Sequence, residues 1–155
     1  MTSPAKGSHM RRALELAREA AVAGEVPVGA VVVDAGGRLL AEARNRTREL
    51  NDPTAHAEIL AIRTACASLG QERLVDCDLY VTLEPCAMCA AAISFARIRR
   101  LYFGADDAKG GGVAHGARVF SHATCHHAPD IYGGICETEA AALLKAFFAE
   151  KRDAR

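Results

Sequence analysis

The sequence predicts an α/β fold in which helices cover both faces of one mixed sheet of about five strands. Three observations support this: an amphipathic helical pattern comes first, two adjacent β-branched apolar segments follow it, and strand and helix patterns then alternate. Such alternation is typical of layered α/β proteins. The chain has 155 residues, 50% hydrophobic and 25% charged, which fits a single globular domain over 1–155.

The first predicted elements are one helix and two strands, at residues 9–23, 26–34 and 38–43. Apolar residues recur every three or four positions in the helix, and Gly24 is expected to end it. The turn that joins the two strands contains Gly36 and Gly37. Residues 1–8 precede this helix and are interpreted as a disordered segment or a remnant of an expression vector.

The remaining predicted elements are helices at 55–69, 86–97 and 137–151, and strands at 78–83, 101–103 and 130–132. Thr54 suits the N-cap of the first of these helices, and Gly70 suits its end. Pro85 suits the first position of the next helix. The segment 104–127 is rich in glycine and histidine and is predicted to be mostly loop.

Charge and hydropathy exclude several classes of protein. Nineteen basic residues balance nineteen acidic ones, so any polyanion has to bind a local patch. Two groups of basic residues are candidates: Arg97, Arg99 and Arg100, and the C-terminal Lys145, Lys151, Arg152 and Arg155. Solvated charges at element ends explain each group at least as well. No apolar segment approaches the roughly 20 residues that span a bilayer, and the start of the chain lacks a secretory pattern, which favours the cytoplasm.

Two short motifs carry the chemistry: His56-Ala57-Glu58 and Glu84-Pro85-Cys86-Ala87-Met88-Cys89. One imidazole and two thiols form a set of three zinc ligands, which leaves a coordination position open for water, as in catalytic zinc sites. The H-x-E and P-C-x-x-C pattern is the established signature of zinc-dependent nucleobase deaminases, and the assignment is taken from it. We therefore expect one Zn²⁺ per chain, bound by His56, Cys86 and Cys89.

Glu58 is expected to act as a proton shuttle. Zinc lowers the pKa of a bound water towards about 7, and Glu58 could take the water proton and return it to the substrate. The resulting hydroxide would attack the amine-bearing ring carbon, and ammonia would leave. Helical spacing puts Glu58 about 200° round the axis from His56. Both can therefore reach one metal only if the N-terminus of the helix points at it, and we expect two helix N-termini to meet there.

Two other interpretations of the cysteines remain open. A Cys-x-x-Cys pair can be a redox centre, but a redox role leaves His56 and Glu58 unexplained. A structural zinc site needs a fourth ligand, for which Cys125, His126 or His127 could serve.

Longer stretches resemble the cytidine-deaminase superfamily and, within it, the bacterial tRNA-specific adenosine deaminases. They are residues 24–33, 45–46, 52–58, 79–90, 103–109 and 141–148. The resemblance implies a three-layer α/β/α fold, a homodimer, and conversion of the wobble adenosine of an arginine tRNA anticodon to inosine.

The same resemblance implies roles for five further residues. Asn45 would contact the target nucleoside, and Val28 would help to wall its pocket. Asp107 and Lys109 would meet the anticodon loop, and Phe148 would meet flanking RNA, although a packed helix face also requires such a residue. The run 110–112 and the loop 114–129 differ from the best-known family members.

Two competing functions are open to this sequence. One is deamination of a free nucleobase or nucleoside, such as guanine or cytosine, by the same zinc site. The other is a non-catalytic, zinc-stabilised interaction domain, against which Glu58 argues because a structural site has no use for an unliganded acid.

Overall fold

The computed structural model describes residues 4–153 and builds a five-stranded sheet with four α-helices around it. The helices are α1 (Pro4–Val22), α2 (Ala57–Leu69), α3 (Ala87–Ala96) and α4 (Glu137–Asp153). The strands are β1 (Gly29–Val33), β2 (Leu39–Arg44), β3 (Asp78–Leu83), β4 (Arg100–Ala105) and β5 (Asp130–Tyr132). The predicted loop at 104–127 contains one short 3₁₀ helix, Val119–Ser121.

The strands lie in the order β2-β1-β3-β4-β5, which confirms the mixed sheet. β1 runs antiparallel to both β2 and β3, whereas β3, β4 and β5 are parallel. The amino end of β1 therefore lies beside the carboxyl ends of β2 and β3. This arrangement brings the segments that follow β2 and β3 to one edge of the sheet.

Both faces of the sheet are buried, so the architecture has the expected three layers. Ala30 and Val32 of β1 face one core, which also contains apolar residues of α2 and α3. The alternate residues Val31 and Val33 face a second core with α1. Because side chains alternate across a strand, a strand covered on both sides is apolar throughout, as β1 is.

The start of α2 differs from the prediction. Thr54 is not the N-cap, because its N–H and its hydroxyl both donate to Asp52 Oδ1, at 2.9 and 2.7 Å. These bonds form a turn before the helix, so that α2 begins at Ala57 and His56 takes the N-cap position. Gly70 ends the helix in the left-handed conformation, as predicted.

Two other boundaries also shift. Cys86 occupies the N-cap of α3, so Pro85 precedes the helix and does not open it. The first strand is shorter than the predicted 26–34, because the Val28 N–H donates to the Val26 carbonyl in a tight turn.

The first helix begins earlier than residue 9, and residues 4–8 belong to it. Residues 1–3 lie outside the described part of the chain, and the interpretation of the segment as a vector remnant stays a prediction. Gly24 ends α1 with a positive φ of 81°. Over residues 4–153, no helix is long and apolar enough to cross a membrane.

Candidate active site

Hydrogen bonds hold the carboxyl ends of β2 and β3 and the amino end of β1 together at one edge of the sheet. The Asn45 N–H donates to the Val28 carbonyl at 3.1 Å, and the Gly29 N–H donates to the Thr82 hydroxyl of β3 at 3.2 Å. The side chain of Asn45 accepts the Ala57 N–H at 2.8 Å, which ties the edge to the first residue of α2. The sheet edge and the N-terminus of α2 are thus one connected unit.

The three predicted zinc ligands come together at the N-termini of α2 and α3. His56 Nδ1 lies 3.7 Å from Cys86 Sγ and 3.4 Å from Cys89 Sγ. In tetrahedral zinc coordination with ordinary bond lengths, a nitrogen and a sulfur ligand are about 3.6 Å apart. The donor set and its spacing therefore fit one zinc ion, and the predicted meeting of two helix N-termini is confirmed.

His56 lies outside the helix, so helical spacing does not turn its side chain away from that of Glu58. His56 has an extended backbone (φ −74°, ψ 152°) and precedes the helix, so the 200° separation from Glu58 does not apply. Glu58, in the first turn of α2, interacts with the Cys89 thiol. Imidazole, thiols and carboxyl group thus share one small volume.

The two thiols differ in charge. Hydrogen bonds with the Cys89 thiol and then with His56 lower the pKa of Cys86 to about 4, although burial opposes this. The reciprocal contact with Cys86 raises the pKa of Cys89, and burial adds to it. The hydrogen bond with Cys86 also raises the pKa of His56. A thiolate is therefore already favoured at Cys86, in the form that zinc binds.

Glu58 is a buried carboxyl group, only 4% exposed. Burial raises its pKa to about 7, because removal from water disfavours the charged form. A carboxyl group whose pKa lies near neutrality can both accept and donate a proton at physiological pH. This is the property that a proton shuttle requires.

Glu84 is a buried residue to which the sequence assigned no role. Its carboxylate accepts backbone N–H bonds from Asp107, Val113, Ala114 and His115, at 3.0–3.2 Å, and a bond from the His115 ring at 2.7 Å. Burial opposes its ionisation, but these hydrogen bonds outweigh burial and lower the pKa of Glu84. The only feature of the sequence that could have drawn attention to Glu84 is its position, because it is an acidic residue between an apolar strand and Pro85.

The residues predicted to meet RNA lie on two exposed segments. The Asp107 carboxylate accepts the N–H groups of Lys109 and Gly110, at 3.2 and 2.9 Å, and so shapes its own loop. Phe148 is 45% exposed and packs edge-on against Phe147, with 5.4 Å between ring centroids. The exposed rim of Phe148 is available to a ligand, whereas Phe147 belongs to the packed face.

Phe148 also borders a surface cavity of about 410 Å³. Its lining includes Val26, Arg48 and Lys151. Val26 and Arg48 belong to the segments that flank Val28 and Asn45 along the chain. The C-terminal helix therefore borders the loops beside the metal ligands.

The candidate fourth zinc ligands lie elsewhere. Cys125 and His127 contact Ser94 near the C-terminus of α3. The predicted zinc ligands lie at the other end of this helix, whose ten residues span about 15 Å. Over residues 4–153, the cluster of possible ligands around His56 contains only the two cysteines besides it. None of the residues in this part of the chain therefore supplies the fourth ligand that a closed structural zinc site would need at this centre.

The basic group at 97–100 is also remote from the metal ligands. Arg99 donates to both oxygens of Asp78, at 2.9 and 3.0 Å, at the amino ends of β3 and β4. Cys86 follows the opposite end of β3. This group is therefore no part of the candidate site.

Three candidate zinc ligands with a buried glutamate beside them are the arrangement of a zinc-dependent hydrolytic deaminase. Residues 4–105 match the profile of the family described as cytidine and deoxycytidylate deaminase zinc-binding region. The chain belongs to this family.

Within that family, the chain groups with the tRNA-specific adenosine deaminases. It is 65% identical over 143 residues to the tRNA-specific adenosine deaminase of Agrobacterium fabrum, which covers 92% of this chain and 93% of that protein. A solved structure from work on A-to-I editing by tRNA:A34 deaminases at the wobble position of transfer RNA matches with a TM-score of 0.87 and 64% identity, over 88% of this chain and 99% of that one.

A more distant solved structure shares the fold. It comes from work on the guanine deaminase of Nitrosomonas europaea, with a TM-score of 0.78 and 26% identity over 96% of this chain and 86% of that one. Deaminases of different substrates are thus built on this architecture.

Replacing a predicted ligand should release the metal. We expect Cys86→Ala to lower the zinc content of the purified protein well below one ion per chain, because two ligands hold zinc far less tightly than three. Elemental analysis measures this directly. Cys66→Ala, in the last turn of α2, is the matched control and should keep its zinc. Full zinc occupancy in Cys86→Ala would contradict the ligand assignment.

Proposed function

We propose that this protein converts adenosine to inosine at the wobble position of a tRNA anticodon. The observation that carries the proposal is the zinc-ligand trio with Glu58 beside it, in a chain 65% identical to a tRNA-specific adenosine deaminase. Extending the resemblance, we propose an arginine tRNA as the substrate. A tRNA substrate also favours a cytoplasmic location.

In this proposal, His56, Cys86 and Cys89 hold the zinc ion. When bound, zinc supplies a Lewis acid that lowers the pKa of a water molecule towards about 7. Deamination consumes one water and releases ammonia, so a proton has to move from the water to the departing amine. Glu58 carries that proton, because its carboxyl group lies beside the ligands and its pKa suits transfer in both directions.

Asn45 and Val28 form the wall that receives the target nucleoside. The donor to the Asn45 side chain is a backbone N–H, so the accepting atom is the amide oxygen. The NH₂ group is therefore the part of Asn45 that can bind the substrate. Val28 lies next to Asn45 in the chain's own core and is 4% exposed, so its contribution to the wall is a small apolar edge.

The remaining RNA contacts are assigned to the two exposed segments. Lys109 and Asp107 meet the anticodon loop from one side, and Phe148 meets flanking nucleotides from the other. Bases of a single-stranded loop can stack on an exposed aromatic ring, and a few lysines suffice for the phosphates. Local contacts of this kind are compatible with a net charge of zero.

We further propose a homodimer that uses the outer face of α3. Met88 and Phe95 are 36% and 69% exposed, and Ala91 between them lines a largely apolar cavity of about 350 Å³. Ala90, on the opposite side of the helix, is buried in the chain's own core. A contiguous exposed apolar surface is typical of protein interfaces, and a second copy would cover it.

Removing the proton shuttle should abolish turnover without removing the metal. We expect Glu58→Ala and Glu58→Gln to keep their zinc and to lose at least about 100-fold in kcat, because neither side chain can carry a proton. Zinc analysis and an inosine assay separate the two effects. Glu72→Ala, an exposed glutamate beyond the end of α2, serves as the control. An active Glu58→Ala enzyme would show that another group moves the proton.

Substrate choice separates the proposal from its main competitor. We expect the zinc-loaded protein to form inosine in an anticodon stem-loop of arginine tRNA and to leave free adenosine, guanine and cytosine unchanged. Mass spectrometry of each reaction decides between them. Affinity for the stem-loop should fall as salt rises, because Lys109 and Lys151 would release counterions from phosphates. Turnover of small molecules alone would support deamination of free bases.

A charge on the outer face of α3 should separate the protomers. We expect the wild-type chain to have the mass of a dimer by light scattering, and Phe95→Lys to have that of a monomer, because a buried unpaired charge is costly. Val22→Lys changes another exposed apolar residue, on α1, and should remain dimeric. A monomeric wild type at working concentration would refute the homodimer.

A further inference from the structure

We propose that His115, acting through Glu84, is a positioning residue that fixes the 107–115 loop as a rigid RNA-binding wall beside the zinc site. The inference rests on the proposed function and adds to it the group that sets the shape of this wall. His115 is assigned no role by the zinc motif.

The Glu84 carboxylate is the centre of the loop. It is buried, and it accepts five hydrogen bonds from residues 23 to 31 positions further along the chain. Four of them come from backbone N–H groups, so Glu84 holds the path of the main chain and not a particular side chain. A buried carboxylate needs such donors, because without them burial would favour its neutral form.

His115 contributes the fifth bond, and it is the shortest of the five. Its Nδ1 lies 2.7 Å from Glu84 Oε1, and its side chain is 35% exposed while that of Glu84 is fully covered. His115 therefore closes the solvent side of the carboxylate. A hydrogen bond to a charged group at this distance is among the stronger ones in proteins.

The loop held in this way lies directly on the metal-binding helix. The Gly112 N–H donates to the Pro85 carbonyl at 2.8 Å, and a Cβ at Gly112 would lie 2.5 Å from the Ala87 backbone nitrogen. Only glycine permits so close an approach. The wall therefore begins against the N-terminus of α3 and ends in the turn of Asp107 and Lys109.

A second metal ion is the other interpretation of this cluster, since Glu84, Asp106 and His115 offer ligand atoms within 4.8 Å of one another. The hydrogen bonds argue against it. Five donors occupy the two carboxylate oxygens of Glu84, and a cation would have to displace several of them. We therefore assign the cluster to loop geometry.

The test uses the zinc-loaded protein and an anticodon stem-loop. We expect His115→Ala to raise the Kd for the stem-loop about tenfold, the effect of one lost hydrogen bond to a charged group, with zinc content and kcat at saturation unchanged. His115→Asn should restore a Kd near the wild-type value, because its amide can replace the Nδ1–H donor. Amide hydrogen exchange at residues 113–115 should quicken in His115→Ala only.

Arg99→Ala is the matched control. It breaks another carboxylate pair of similar exposure, with Asp78, at the opposite end of the parallel strands. A loss of affinity in Arg99→Ala equal to that in His115→Ala would show a general stability effect and overturn the inference. An unchanged Kd in His115→Ala, or no rescue by His115→Asn, would overturn it as well.

The two proposals can fail separately. A wild-type protein that binds the stem-loop but forms no inosine would contradict the proposed function, while the Kd series would still decide the role of His115. A wild type that does not bind the stem-loop would overturn both.

Discussion

The convergence of two helix N-termini on one point is the constraint on which the site depends. Because β1 is antiparallel to both β2 and β3, the segments that lead from these two strands into α2 and α3 leave the sheet at the same edge. His56 and Cys86 each hold an N-cap position there, where the partial positive charge of the helix favours a thiolate. The ligands are thus placed by backbone geometry, and a change in the order or direction of the central strands would separate them.

The buried glutamates at this edge of the sheet differ in their hydrogen bonds, and this difference sets the direction in which the pKa of Glu58 and of Glu84 shifts. Glu84 accepts five donors, and Glu25 accepts the backbone N–H groups of Arg48 and Glu49 at 3.1 and 2.8 Å, so both organise loops. Glu58 is buried to a similar extent, but burial dominates there and raises its pKa to about 7, whereas the pKa of Glu84 is lowered. The pKa of a buried glutamate thus depends on whether its hydrogen bonds outweigh burial, as they do at Glu84 and not at Glu58.

The sequence predicted the elements and the metal ligands for different reasons. Hydrophobic periodicity is local, so the bounds of β3 and β5 came out as observed, and the zinc ligands follow from a short motif. Thr54 was wrongly predicted as the N-cap of α2, because its hydroxyl donates to Asp52 instead. Helix propensities do not include such a side-chain hydrogen bond. The contacts of Glu84 join residues up to 31 positions apart, and no local pattern encodes them. The long-range polar contacts of the site could therefore not be predicted from the sequence and became visible only in the folded structure.

The short zinc motif accounts for the chemistry of the site, whereas the long-range contacts that shape the surrounding loops bear on its selectivity. A guanine deaminase and a structure from work on tRNA deaminases both share this fold, at TM-scores of 0.78 and 0.87. An architecture shared by deaminases of different substrates cannot by itself choose between a free base and an anticodon. Selectivity must then arise from the loops around the ligands, and here those loops are held by Glu25 and Glu84, one on each side of the metal-binding edge. Two buried carboxylates thereby determine the shape of the loops that flank the predicted zinc ligands.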